Sequence, residues 1–131
     1  MEQNEKTKAL LAAFGCALAY LLAGKALAAV LPQVPEEAAR MWAFLHRCAA
    51  APIVEELVFR GIIQQLARPL GERQAVALQA VLFAVQHRGP AGMAYALVCG
   101  LVLGMLRSRT GSVWPGMLLH TLNNLLVFAA G

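Results

Sequence analysis

Apolar residues fall into five runs separated by short polar or Pro/Gly-rich breaks. The first covers 9–31 and is interrupted only by Lys25, so its 23 residues exceed the roughly 20 that a helix needs to span a bilayer. Pro32 and Pro35 end it, and Glu36, Glu37 and Arg40 make a polar connection. The second run, 41–67, carries His46, Arg47, Glu55, Glu56 and Arg60. Its Pro52 either kinks a helix or sits in the first turn of one that bears the carboxylates. Arg68, Pro69, Gly71, Glu72 and Arg73 form the next turn. The third run, 75–87, closes at Arg88-Gly89-Pro90; the fourth, 91–106, closes at Arg107-Ser108-Arg109-Thr110-Gly111; the fifth is 112–130. At about 1.5 Å per residue the third and fourth runs reach only some 20–24 Å, against roughly 30 Å of hydrocarbon. They must extend into flanking residues or be shielded by neighbouring helices. Gly100 and Gly104 have the G-x-x-x-G spacing that permits close helix approach. The pattern predicts an all-α, polytopic transmembrane bundle of about five helices, with 1–131 as a single membrane domain.

Composition supports lipid as the solvent. The chain is 60% hydrophobic and 14% charged, where a soluble domain carries about 25% charged residues. Its mean hydropathy is +0.61. The net charge of +4 does not point to nucleic acid, because the basic residues lie in ones and twos between apolar runs, as membrane-flanking charges do. An inside N-terminus puts Lys6, Lys8, Arg68, Arg73, Arg107 and Arg109 on the inner side and Arg40, Arg47 and Arg88 on the outer. That is the favoured sense of the positive-inside rule. The expected location is the cell membrane, multi-pass, with the lipid bilayer as partner. Cys16, Cys48 and Cys99 form no C-x-x-C pair and read as small core residues. The apolar run continues past Cys16, so the first segment reads as a spanning helix rather than a removed signal.

Charges inside a bilayer are costly, and those present are usually functional or paired. Glu55-Glu56-Leu57-Val58-Phe59-Arg60 is therefore the most informative stretch. Glu56 and Arg60 are i, i+4 neighbours in the favoured order and can neutralise each other. A structural ion pair is at least as good a reading of them as catalysis. Glu55, turned about 100° away, is the carboxylate left for chemistry. Phe83-Ala84-Val85-Gln86-His87 ends the third run, and His120-Thr121-Leu122-Asn123-Asn124 lies in the fifth, with His120 and Asn124 again i, i+4. A lone histidine in an apolar helix is usually a satisfied core residue. Two histidines, a spare glutamate and an aligned amide on three segments form a constellation. His46, beside Arg47, has no such company and reads as interfacial.

This set can build a hydrolytic site. A glutamate can take a proton from water, a histidine can orient that water, and a histidine with an asparagine amide can donate to a developing oxyanion. A carboxylate with two histidines is also a donor set for zinc, although the H-E-x-x-H spacing is missing; the expectation is no metal and no cofactor. There is no G-x-S-x-G, and the chain has no Asp, so neither a Ser-His-Asp set nor a paired-aspartate site can form.

Glu55-Glu56-x-x-x-Arg60, Phe83-x-x-x-His87 and His120-x-x-x-Asn124, in that order, resemble the three motifs of the type II CAAX prenyl endopeptidase and bacteriocin-processing (CPBP) family. Pro52-Ile53-Val54 and Arg109-Thr110-Gly111-Ser112-Val113-Trp114-Pro115 are similar to it as well. The resemblance covers roughly 50–128, leaves out the first helix, and implies a CAAX protease-like intramembrane endopeptidase with a glutamate-activated water. By that resemblance Glu55 is the base, His87 its partner, and His120 with Asn124 the oxyanion side. Glu56 and Arg60 carry over in a supporting role. The implied substrate is a membrane-anchored protein or peptide, cut near its C-terminus. The chain is near a minimal core for such a protein. The competing readings are a non-catalytic immunity or scaffold protein that keeps the constellation as packing, a zinc-dependent protease, and a small transporter with Glu55 as its proton site.

Overall fold

The computed structural model describes residues 1–131 as five helices without strands. We label them α1 (Glu2–Val30), α2 (36–66), α3 (Glu72–Ala84), α4 (Gly89–Thr110) and α5 (Trp114–Ala130). A single 3-10 turn, Arg68–Leu70, joins α2 to α3. The expected all-α bundle of about five helices is what forms. Two of the helices, α1 and α4, are long and apolar enough to cross a membrane. Only 11% and 22% of their most apolar windows are buried, so most of that apolar surface faces outward, where lipid rather than water suits it. On α1 the inward stripe is Ala9, Ala13 and Ala17, at i, i+4 spacing, while Leu11, Phe14, Leu18 and Leu22 are exposed.

The polar segment 36–40, expected as a connection, is the first turn of α2. Pro35 precedes it, and Glu36 and Glu37 sit at the positive end of the helix dipole, where carboxylates are favoured. Helix α2 is not uniform. It runs as α-helix over Glu36–Leu45, π-helix over His46–Ala50, α-helix over Ala51–Glu55, π-helix over Glu56–Ile63 and a last α-turn over Gln64–Leu66.

The two short runs resolve in the two ways open to them. The fourth extends: Pro90 starts α4 in its first turn, and Gly111, at φ +70°, closes it with its N–H on the Arg107 carbonyl. The resulting 22 residues span about 33 Å. The third stays short and is shielded, with Ala75, Val76, Gln79, Ala80, Leu82, Phe83 and Ala84 all buried. Helices α3 and α4 approach closely at Gly100, where a Cβ would lie 3.0 Å from both Cα and Cβ of Ala80. Phe59 and Ile63 of α2 meet Leu82, Phe83 and Ala96 in the central apolar cluster, and Tyr20 of α1 packs edge-on against Phe59 at 5.5 Å.

Candidate active site

Glu56 and Arg60 both lie in the second π-helical stretch of α2 and are completely buried. Arg60 Nη1 is 3.0 Å from Glu56 Oε1, an ion pair whose N–H is not aimed as a hydrogen bond. The guanidinium also lies over the Phe83 ring, 4.5 Å from its centroid, so ring and carboxylate together surround it. The same Glu56 oxygen accepts from His120 Nδ1 at 2.9 Å. Holding Nδ1 in this way turns Nε2 towards Glu55, whose Oε2 is 3.6 Å away. Glu55 itself retains 20% side-chain exposure and faces a cavity. His120 thus lies between two glutamates in different settings, one sealed in with an arginine and one open.

Room for Glu56 comes from α5. A Cβ at Gly116 would stand 2.8 Å from Glu56 Oε2, so glycine there lets the helix approach the carboxylate. Phe83 is the hub on the opposite side. Its ring contacts those of Phe59, His87 and His120 at 5.2, 4.7 and 5.9 Å. Beyond the end of α3, His87 Nδ1 donates to the Phe83 carbonyl at 3.0 Å. The neutral ring therefore presents Nε2 as an acceptor.

Asn124 is fixed by a feature of α2. In the first π turn Ala51 N–H bonds the His46 carbonyl, an i−5 register. Continued one residue, the register would require a donor from residue 52 for the Arg47 carbonyl, and Pro52 has none. Asn124 Nδ2 supplies it, donating to Arg47 O at 2.8 Å. One amide hydrogen of Asn124 is thereby committed to the backbone of α2, and the other remains free for a ligand.

Glu55, His87, His120 and Asn124 line one cavity of about 880 Å³. Glu56 and Arg60 lie behind its wall. Arg40, His46, Arg47, Val127 and Phe128 share the lining, and the sequence alone gives none of these five a place in the site. His46, read as interfacial, has Arg47 and Arg40 beside it on the cavity side of α2. The signal that could have found them is the row of three basic residues on one helix ahead of the paired glutamates. No three His, Cys, Asp or Glu side chains come together as a set that could hold a metal ion.

Chemically, the cavity offers an open carboxylate, two imidazoles and an amide around one space, which is sufficient for acid–base work on a bound carbonyl. Comparison with curated proteins and with solved structures gives no match. The profile of the type II CAAX prenyl endopeptidase Rce1-like family matches residues 37–126, which include Glu55, Glu56, Arg60, His87, His120 and Asn124. The chain belongs to this family of membrane proteases, whose substrates are membrane-associated.

Proposed function

We propose that the protein is a multi-pass cell-membrane endopeptidase that cuts a membrane-anchored polypeptide near its C-terminus with a water activated by Glu55. The observation that carries this reading is the division of labour between adjacent glutamates: Glu56 is sealed against Arg60 and His120, while Glu55 opens to the cavity. A water within about 2.8 Å of both Glu55 Oε2 and His120 Nε2 forms a reasonable triangle with their 3.6 Å separation. Glu55 takes a proton from that water as its oxygen attacks the scissile carbonyl. The same proton then passes to the departing amine. With a proton on each His120 nitrogen, Glu55, Glu56, Arg60 and His120 sum to zero charge, and Nε2–H can stabilise the oxyanion together with the free N–H of Asn124. His87, fixed by the Phe83 carbonyl, turns its acceptor nitrogen to the same space and helps to orient the water.

The test is cleavage of a lipid-anchored peptide by the reconstituted protein in ¹⁸O water. One heavy oxygen should enter the new carboxylate, and Glu55→Gln should stop the reaction. Continued turnover by Glu55→Gln would remove the glutamate mechanism, and activity lost to chelator and restored by zinc would replace it with the metal reading. The Lys and Arg distribution supports an outward-facing cavity. Cysteine at Arg88, in a background without Cys16, Cys48 and Cys99, should label with an impermeant reagent in intact cells. Labelling only after permeabilisation would reverse the orientation. Arg88 suits this better than Gly89, whose φ of +72° strains any side chain.

A further inference from the structure

The basic side chains that α2 gives the cavity make no ion pair within the chain. Arg40, His46 and Arg47 line its α2 side, and none of them takes part in any of the six ion pairs. Glu56 is already occupied by Arg60 and His120, which leaves Glu55 as the single glutamate on the wall. The space next to Glu55 is therefore cationic on one side, and a bound group that brings an oxyanion would be held by charge-assisted hydrogen bonds.

The backbone of Arg47 is also tied down. Its carbonyl is tied to α5 by Asn124, so the turn that carries its side chain cannot drift from the wall that carries His120. Arg47 precedes Glu55 by eight residues on the same helix, a rise of at most about 12 Å. An extended peptide covers roughly 3.3–3.6 Å per residue, so a carbonyl held at Glu55 is only a few residues away from this guanidinium. Val127 and Phe128 give apolar lining in the same cavity for the side chains in between.

We infer that Arg47, backed by Arg40 and His46, is the subsite that holds the free α-carboxylate of the substrate. This rests on the proteolytic reading of the cavity. A phospholipid headgroup could bring the same oxyanion, and the experiment is arranged to separate the two.

Two lipid-anchored synthetic peptides of identical sequence serve as probes, one ending in a free carboxylate and one in an amide. Their binding to full-length Glu55→Gln protein in phosphatidylcholine nanodiscs needs no turnover. The free acid should bind about 10–100-fold more tightly, the range of hydrogen bonds to charged groups. Arg47→Gln should bring the acid down to the affinity of the amide and leave the amide as it was; Arg47→Lys should recover part of the difference. In the active protein the same contrast should appear in KM rather than in kcat. Equal affinities for acid and amide overturn the subsite, as does an Arg47→Gln variant that weakens both alike. Binding that follows added phosphatidylglycerol instead of the peptide terminus assigns the cations to lipid and overturns it too. Cleavage without preference for the acid leaves the protease reading intact and removes the subsite. A preference for the acid with no cleavage of either peptide does the reverse.

Discussion

Two polar clusters are buried in this bundle, about one helical turn apart along α2, and they are made of different kinds of side chain. Glu56, Arg60 and His120 form the first. Gln64 and Gln79 form the second: Gln64 Nε2 donates to Gly104 O and Ser108 Oγ, each at 3.0 Å, and Gln79 Nε2 donates to Gly100 O at 2.7 Å and Val76 O at 3.0 Å. Gln64 and Gln79 are not titratable and point their donors at backbone and hydroxyl oxygens, although Gln64 lines a smaller cavity of about 180 Å³ with Arg68, Glu72 and Arg107. They join α2 and α3 to the glycine face of α4. The first cluster borders the cavity of about 880 Å³ beside Glu55 and is made of ionisable groups. In a low-dielectric interior both must be paired, but neutral amides pay for helix packing alone, whereas charged groups beside an open carboxylate are suited to chemistry. Burial of polar groups therefore does not by itself mark a site in this fold; the kind of group does.

Glu55→Gln should give the largest separation between the clusters. If Glu55 is the base, its loss should lower turnover by roughly 10²–10⁴-fold. Thermal stability should hardly move, because Glu55 is partly exposed and its nearest charged partner is at 3.6 Å. Retained helicity and melting temperature beside lost cleavage would confirm the contrast. A melting temperature that collapses with Glu55→Gln would place this residue with the packing groups.

Arg60→Ala should act mainly on stability. It leaves Glu56 buried with His120 as its only remaining partner, and removing one member of a buried pair typically costs about 3–5 kcal/mol. The cation–π contact with Phe83 is lost at the same time. Chemical denaturation in detergent measures the effect. A variant of normal stability without activity would instead make Arg60 part of the chemistry.

The helices and the charged cluster were legible in the sequence for a common physical reason. Apolar runs of membrane length and charges inside them are large departures from ordinary composition, so 41–67 with Glu55, Glu56 and Arg60 stands out, as do His87 and His120. The amide cluster was not legible. Gln64 and Gln79 are neutral, and a glutamine in an apolar run resembles any interfacial polar residue until its partners are known. Arg40, His46 and Arg47 read as membrane flanks rather than site residues, because basic residues ahead of a span look like that. The link from Asn124 to Arg47 depends on the π-helical register at His46–Ala50, which neither propensity nor periodicity reveals. The G-x-x-x-G pair could be read for close packing, but not for the glutamines that donate to both glycine carbonyls.

One methyl group added at each cluster sharpens the comparison. Gly116→Ala places a Cβ 2.8 Å from Glu56 Oε2, and Gly104→Ala drives a Cβ into Gln79 Nε2. Overpacking of this kind costs about 1–3 kcal/mol. At Gly116 part of that strain should reach His120 through Glu56 and lower kcat along with stability. At Gly104 it should lower stability and leave kcat per folded molecule unchanged. Equal losses of kcat at the two positions would show that the clusters are coupled rather than separate.

The smallest effect is expected at Gln79 itself, and it is the most discriminating. Gln79→Leu keeps most of the volume and removes the donor to Gly100 O. That carbonyl lies inside α4, where the helix ladder already supplies one hydrogen bond, so no acceptor is left wholly unpaired. The change also removes Gln79 Oε1, which is buried without a partner and is costly as it stands. Interhelical hydrogen bonds in membranes average about 0.6 kcal/mol, and the two terms oppose each other. Stability should therefore change by less than about 1 kcal/mol in either direction, and the kinetic constants for peptide cleavage should not change. A shift in kcat would mean that the amide at α3–α4 reaches the chemistry through Gln64 and α2, which would end the division of the bundle into a packing cluster and a reacting one.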